Sequence, residues 1–510
     1  MRLYNLLLLG LCCSETSRLQ AQWSISGELR TRTEWRNGYG TLKPIGNSAA
    51  LFTSQRSRLT IDYHWDRVVF HSSAQDIRVW GQDASTISAA DGNKFGIHEA
   101  WAELAIIDKR DTATTISRQQ TGVRYLAARI GRQEISYDDQ RLLGGLDWLQ
   151  QARRHDAIVL KLLAGGWQLD LGGAFNQNTD AVGYNGTVYT AANTPPYVKD
   201  SKGRLAVTPP AFIPFVNPAG VSSANGAPAV SAPASTNGAY QDYKALQYLY
   251  VARTVGHSRV SALVVADYFG KNVSDSVVNI VNGDSAWIYG KSFDKKGVNA
   301  RITAGIYIAG GTKGIGWTAG FYYQCGRDRD ALRLQAWTST IGLSYTWPTF
   351  TLTGGWDYLS GNKTSLNPGM NHRFDPLYGT PHKFWGSMDY FFVSTGSPPG
   401  GLSDPFLKLK YTTPKQRFTA GLDYHCFQLA DRQRVAGGRT TGRYLGSEWD
   451  GVCAFALNPV TKLEWGTSLM SASQNMPYAK LLSPGASHLV NTWSYLMITI
   501  LLNKHVNTSK

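Results

Sequence analysis

The sequence predicts an all-β protein: a transmembrane antiparallel β-barrel of about 18 strands, with short periplasmic turns and long extracellular loops. Three observations predict it. Stretch after stretch alternates apolar and polar residues with period two, as strands with two unlike faces do. Aromatic residues stand at the ends of the apolar faces. Short turns alternate with long polar loops along the chain.

The first strand, 23–36, shows the pattern. Trp23, Ile25, Leu29, Thr33 and Trp35 share one face; Ser24, Glu28, Arg30, Arg32, Glu34 and Arg36 share the other. In 54–66, Leu59, Ile61, Tyr63 and Trp65 oppose Arg56, Arg58, Asp62 and His64. Segments 167–176, 337–347 and 418–425 repeat it. A soluble sandwich also alternates, but an aromatic-capped apolar face opposite a charged one belongs to a membrane barrel. The full set is 23–36, 53–65, 67–80, 97–108, 123–134, 154–164, 166–176, 245–255, 257–268, 298–309, 314–325, 335–347, 349–359, 404–412, 416–427, 443–457, 461–471 and 490–502. An even number suits closure with both ends in the periplasm. The FWGSMDYFF segment (384–392) is read as loop, and the largest extracellular loop is 177–244.

MRLYNLLLLGLCC followed by a polar stretch ending in RLQA reads as a signal peptide over 1–21, leaving 22–510 as the barrel. The cysteines beyond it, Cys325, Cys426 and Cys453, have no metal-ligand spacing and make no complete disulfide framework. Formal charge is +15; residues 1–21 contribute a net +1, so the remaining chain carries +14 and favours an anionic partner.

Enzyme motifs are lacking: there is no G-x-S-x-G, no H-E-x-x-H and no C-x-x-C. GTKGIG (311–316) has a dinucleotide-like spacing but falls between two strands, so it reads as a tight turn. Asp138 and Asp139 could serve as paired carboxylates, but a solvated loop pair is the preferred reading. No cofactor or metal is expected.

The inward faces carry the functional signal. Arg30, Arg32, Arg56 and Arg58 form two i, i+2 pairs on neighbouring strands, with Glu28, Glu34 and Asp62 beside them. Alternation adds Arg129, Arg253, Arg301, Lys408 and Lys410. Guanidiniums bind carboxylates and phosphates bidentately, and a ladder of weak sites suits conduction. The bland alternative is that these charges brace the wall through internal salt bridges.

GRQEISYDDQRLLGGLDWLQQARRHDAIVLKL (131–162) resembles the central motif of the alginate-export outer-membrane channels. FDPLYGTPHKFWGSMDYF (374–391) and LGSEWD (445–450) resemble later segments of that family. The resemblance implies a monomeric barrel of 18 strands with an Arg-rich constriction that passes a uronate polymer. On the motif it carries over Arg132, Asp138, Asp139 and Arg141. Arg153 and Arg154 sit where the chain re-enters the barrel. The long loop 177–244 departs from a compact channel. Residues 135–153 are expected to fold inward against the Arg-lined wall, because LLGGLDWL is apolar enough to require burial.

The expected function is therefore a channel in the bacterial outer membrane for anionic solutes, above all acidic oligo- or polysaccharide such as alginate. Its surroundings would be lipid bilayer and lipopolysaccharide, with periplasmic export machinery as a further partner and no nucleic acid. The alternatives are a surface-binding barrel with a loop-plugged lumen and a membrane-embedded hydrolase.

Overall fold

The computed structural model describes residues 22–81, 95–109, 122–176, 194–229, 243–293, 297–363, 369–391, 398–434, 438, 440–480 and 482–507. Residues 1–21, expected from the sequence to be a signal peptide, and parts of the 177–244 loop lie outside them.

Eighteen long antiparallel strands form one closed sheet. They are β1 (Gln22–Asn37), β2 (Ala50–Trp65), β3 (Val68–Val79), β4 (Gly96–Asp108), β5 (Val123–Gln133), β6 (His155–Ala164), β7 (Trp167–Phe175), β8 (Ala245–Val255), β9 (Ser258–Gly270), β10 (Val298–Thr312), β11 (Ile315–Arg327), β12 (Arg333–Thr346), β13 (Phe350–Leu359), β14 (Leu402–Thr412), β15 (Phe418–Gln428), β16 (Tyr444–Asn458), β17 (Thr461–Ala472) and β18 (Val490–Asn507). Each strand pairs with the next, and β1 pairs with β18 from Gln22↔Asn507 to Asn37↔Thr492, which closes the barrel. Closure satisfies every strand edge, the condition for a sheet to cross lipid. All 18 expected strands are present. Among the described residues helix is confined to Met476–Ala479 and a 3-10 turn at Pro381–Lys383.

The outer face is the apolar face of the sequence pattern: Trp23, Leu29, Leu59, Ile341 and Leu343 are exposed, while Arg30, Arg32, Arg56, Thr338 and Thr340 are buried inside. Aromatic pairs mark both ends of the wall. Trp23–Tyr63 (4.5 Å) and Phe350–Tyr411 (4.9 Å) lie toward the short turns, and Trp337–Tyr358 (4.4 Å) and Tyr424–Trp449 (4.5 Å) toward the long loops. The barrel is thus an outer-membrane barrel in its surface chemistry.

The short turns are built for tight reversal. Gly165-Gly166 and Lys313-Gly314 both have positive φ, as the two central residues of a type I′ turn require. GTKGIG is that turn. On the opposite rim a feature not expected from the pattern appears: a hairpin of Val273–Val281 and Asp284–Ser292 turns at Asn282-Gly283. It pairs with Phe212–Val216, which pairs in turn with Ala227–Pro228, making a small extracellular sheet.

Candidate functional site

The loop 134–154 between β5 and β6 makes contacts around much of the inner wall. Its backbone is sharply folded: Asp138, Gln140, Leu146 and Ala152 all have positive φ, a conformation that costs a non-glycine residue energy and persists where contacts hold it. Leu142 and Leu143 are buried in one cluster with Phe374, Leu377, Tyr378 and Met388, and Leu146 is buried as well. A second loop, 374–391, is strapped to the first by backbone bonds: Gly144 N to Tyr378 O (3.1 Å), Tyr378 N to Leu142 O (2.9 Å) and Thr380 N to Gln140 O (2.8 Å). Gly144 permits this approach, because a Cβ there would lie 2.5 Å from Thr380 Oγ1. The second loop is also held by the wall: Met388 N donates to Glu448 (2.7 Å) and Ser387 N to Asp450 (3.2 Å). The three sequence blocks 131–162, 374–391 and 445–450 therefore meet in space.

One side of the first loop grips the wall of β1–β3. Asp147 accepts from Arg30 Nη1 (2.9 Å) and Arg56 Nη1 (2.8 Å), and Arg58 Nη1 lies 4.0 Å away. Arg30 also donates to Gln150 Oε1 (3.0 Å) and Asp147 O (2.8 Å). Arg32 donates to Trp148 O (2.8 Å) and lies 4.0 Å over the Trp148 ring. Further partners within the wall complete the set: Glu34 for Arg32 (2.9 Å), Glu28 for Arg56 (2.7 Å) and Gln75 for Arg58 (2.7 Å). Arg56 is 1% exposed, yet the Asp147 side chain between these guanidiniums is 60% exposed. Partial desolvation raises the Asp147 carboxyl; Arg30 and Arg56 outweigh it and hold it below the ordinary carboxylate value.

The other side of the loop meets β7–β13. Tyr137 stacks on Tyr250 (4.2 Å) and donates to Asp170 (2.9 Å). Asp138 accepts from Tyr250 (2.7 Å) and Ser261 (2.9 Å); desolvation raises its carboxyl above the ordinary value. Arg141 bridges Asp139 (3.2 Å) and buried Asp357 (3.0 Å) and lies 4.0 Å over Phe384. Burial works against the Arg141 charge, and Asp357 and Asp139 more than restore it. Arg153 is buried and donates to Gly379 O; desolvation brings its guanidinium down to about 10. Against residues 134–139 of the loop lies a cavity of about 720 Å³ that reaches toward the short turns at 165–166 and 256–257. Tyr137, Tyr248, Tyr250, Arg129, Lys161 and Asp170 are among its lining.

The remaining expected residues divide. Arg129 faces inward, bonded to Glu103 (2.7 Å) and 3.8 Å over Trp101. Arg301 is buried between Asp267 and Asp375 and so anchors the second loop (Arg301 Nη1 to Asp375, 2.7 Å). Lys408 pairs with Asp423 (2.9 Å), and it and Lys410 line a smaller cavity of about 360 Å³ with Asp450. Arg154 sits half-buried at the re-entry point, its Nη1 3.5 Å from Gln151 O. Two expectations need correction. Arg132 pairs with Asp156 (2.8 Å) on the outer face, where both side chains are substantially exposed, because it stands an odd number of residues from inward Arg129. Arg253 is also outside, 5.1 Å over exposed Trp167, where a long cation can lie along the aromatic rim. Asp147, Trp148 and Gln150 had not been singled out, although Asp147 is the lone acid within LLGGLDWLQQ.

A family model described as alginate export matches residues 21–174. No curated protein sequence matches the chain. Among solved structures, the outer membrane protein OpdK of Pseudomonas aeruginosa is similar at 10% identity and a TM-score of 0.51, covering 94% of this chain and 99% of its own. Another OpdK structure contains vanillate and matches with the same score. OccAB4 of Acinetobacter baumannii matches at 10% identity and a TM-score of 0.53, covering 95% of this chain and 99% of its own. At such identities the likeness is one of fold.

Proposed function

We propose that this chain, a porin-like outer-membrane barrel whose residues 21–174 match the alginate export family, passes anionic solutes, in particular acidic oligosaccharides. The observation that carries the reading is the carboxylate of Asp147, held by Arg30 and Arg56 while remaining open to solvent. It occupies the place that a uronate carboxylate would take against the same guanidiniums. Arg binds such groups through paired N–H donors, and it stays charged at any working pH. A solute arriving as a string of carboxylates can displace one internal carboxylate at modest cost, since the exchange replaces like by like. Conduction needs sites of this kind, favourable enough to enter and weak enough to leave.

The test is a planar bilayer under a KCl gradient. A reversal potential favouring chloride, a block by oligouronates, and loss of both in Arg30→Ala/Arg56→Ala support the reading. Conductance that is cation-selective, or indifferent to oligouronates and to that variant, refutes it. Absence of conductance at every voltage favours instead a barrel closed by its own loops and working as a binding surface, for which the shared apolar cluster of the two loops is the supporting feature.

A further inference from the structure

Where the small extracellular sheet rests on the rim of the barrel there is a third cavity, of about 360 Å³. No residue of the two loops described above lines it, although Phe269 belongs to their shared apolar cluster and Arg301 lies 5.1 Å over the Phe269 ring. Its walls are apolar: Ile213 and Pro228 come from the extracellular sheet, Phe293 follows that sheet's hairpin, and Phe269 ends β9. Ile213 and Phe269 are buried, so these surfaces are removed from water whether or not anything fills the space between them. One edge is polar. Lys291 pairs with Asp330 at 2.6 Å, and Arg329 Nε lies 3.9 Å from the same carboxylate. Asn272 Nδ2 donates to Arg329 O (3.1 Å) and ties the tip of the β11–β12 turn to the rim.

We propose that this cavity is a binding site for a small soluble carboxylate with an apolar body. Size, wall chemistry and charge each point there. Ligand pockets span roughly 300–1,000 Å³, form where two structural layers meet, and are apolar with a few placed polar groups. Lys291 and Arg329 stand at the edge on one carboxylate, Asp330; Arg329 also acts on the Asp375 carboxyl, so Lys291 is the cation on which a second carboxylate would bear. An ammonium has three donors and Asp330 takes one, so Lys291 has donors for a second carboxylate. The apolar body would lie against Phe269, Phe293 and Ile213, with its charged head at Lys291. The site belongs to the outer mouth and does not depend on what crosses the lumen.

The experiment is calorimetry on the full chain in lipid nanodiscs with 3-phenylpropionate, 3-phenylpropanol and 3-phenylpropylamine. The expected result is binding of the carboxylate at least about tenfold tighter than the alcohol or amine. Ile213→Trp fills the cavity and Lys291→Glu reverses its edge charge; each weakens the carboxylate at least about tenfold. Heat-modifiable mobility on gels confirms that both variants retain the barrel, and Lys291→Glu, at a partly exposed position, covers a folding failure of Ile213→Trp. No binding, equal binding of all three probes, or binding unchanged in Lys291→Glu overturns the proposal. Arg30→Ala/Arg56→Ala leaves this binding intact, which separates it from the lumen reading.

Discussion

At the scale of single residues, Asp147 sets the balance between loop and wall. Asp147→Asn keeps the backbone contacts from Arg30 to Asp147 O and from Arg32 to Trp148 O but removes the negative charge. We expect chloride selectivity to rise and oligouronate block to tighten by about tenfold, or ~1.4 kcal/mol, in bilayer recordings. The pH dependence follows from the depressed carboxyl. A depressed value contributes stability above the unfolded value of about 3.9 and loses it as pH falls through the folded value. Protease protection of loop 134–154 should therefore hold from about pH 8 to 5 and fall below about pH 4, a step absent in Asp147→Asn. Arg141 carries a different load. Removing it leaves Asp139 and buried Asp357 facing each other without a cation, a loss of about 3–5 kcal/mol for a buried pair. Arg141→Ala should lower the temperature at which the barrel loses its compact gel mobility, while Arg132→Ala, at an exposed pair, leaves it unchanged.

At the scale of elements, two glycines do what other residues could not. Gly131 has φ +126° and a Cβ there would lie 2.3 Å from Ala100 O, so β4 and β5 approach closely at the GRQ motif. Gly144 does the same between the two loops. Gly144→Ala should therefore raise protease cleavage within 134–154 while leaving the compact gel mobility of the barrel as it is. The elements themselves were readable because the surroundings are uniform. Lipid fixes one face of every strand as apolar, so period two survives along most of the wall, although β4 changes parity at an irregularity in its pairing with β3. The hairpin Val273–Ser292 escaped that logic. Both of its faces meet solvent in part, so Val277, Val278 and Ile280 show no clean alternation, although Asn282-Gly283 is a strong turn signal. Arg132 was named on its motif rather than its parity, and counting from Arg129 places it outside. The bonds of Asp147 to Arg30 and Arg56 span 117 and 91 residues, and no local pattern encodes them.

At the scale of the whole molecule, the barrel and its extracellular sheet are separable. β9 and β10 pair continuously from Ser258↔Gly310 to Gly270↔Val298, so the wall is complete without the hairpin between them. The inner face nearby is braced by Arg301, which joins Asp267 on β9 to Asp375 on the second loop and does not touch the hairpin. The hairpin instead supports Phe212–Val216 and one wall of the outer cavity. Replacing 273–292 by a short Gly/Ser turn should thus leave the barrel closed, because the ladder that crosses the membrane keeps all its hydrogen bonds. Single-channel conductance in KCl should stay within about twofold, since the charges nearest the loop contact remain in place. Binding of 3-phenylpropionate, by contrast, should disappear with Lys291. A deletion that abolishes conductance would show instead that the extracellular sheet shapes the pore, and would join the two sites that this structure keeps apart.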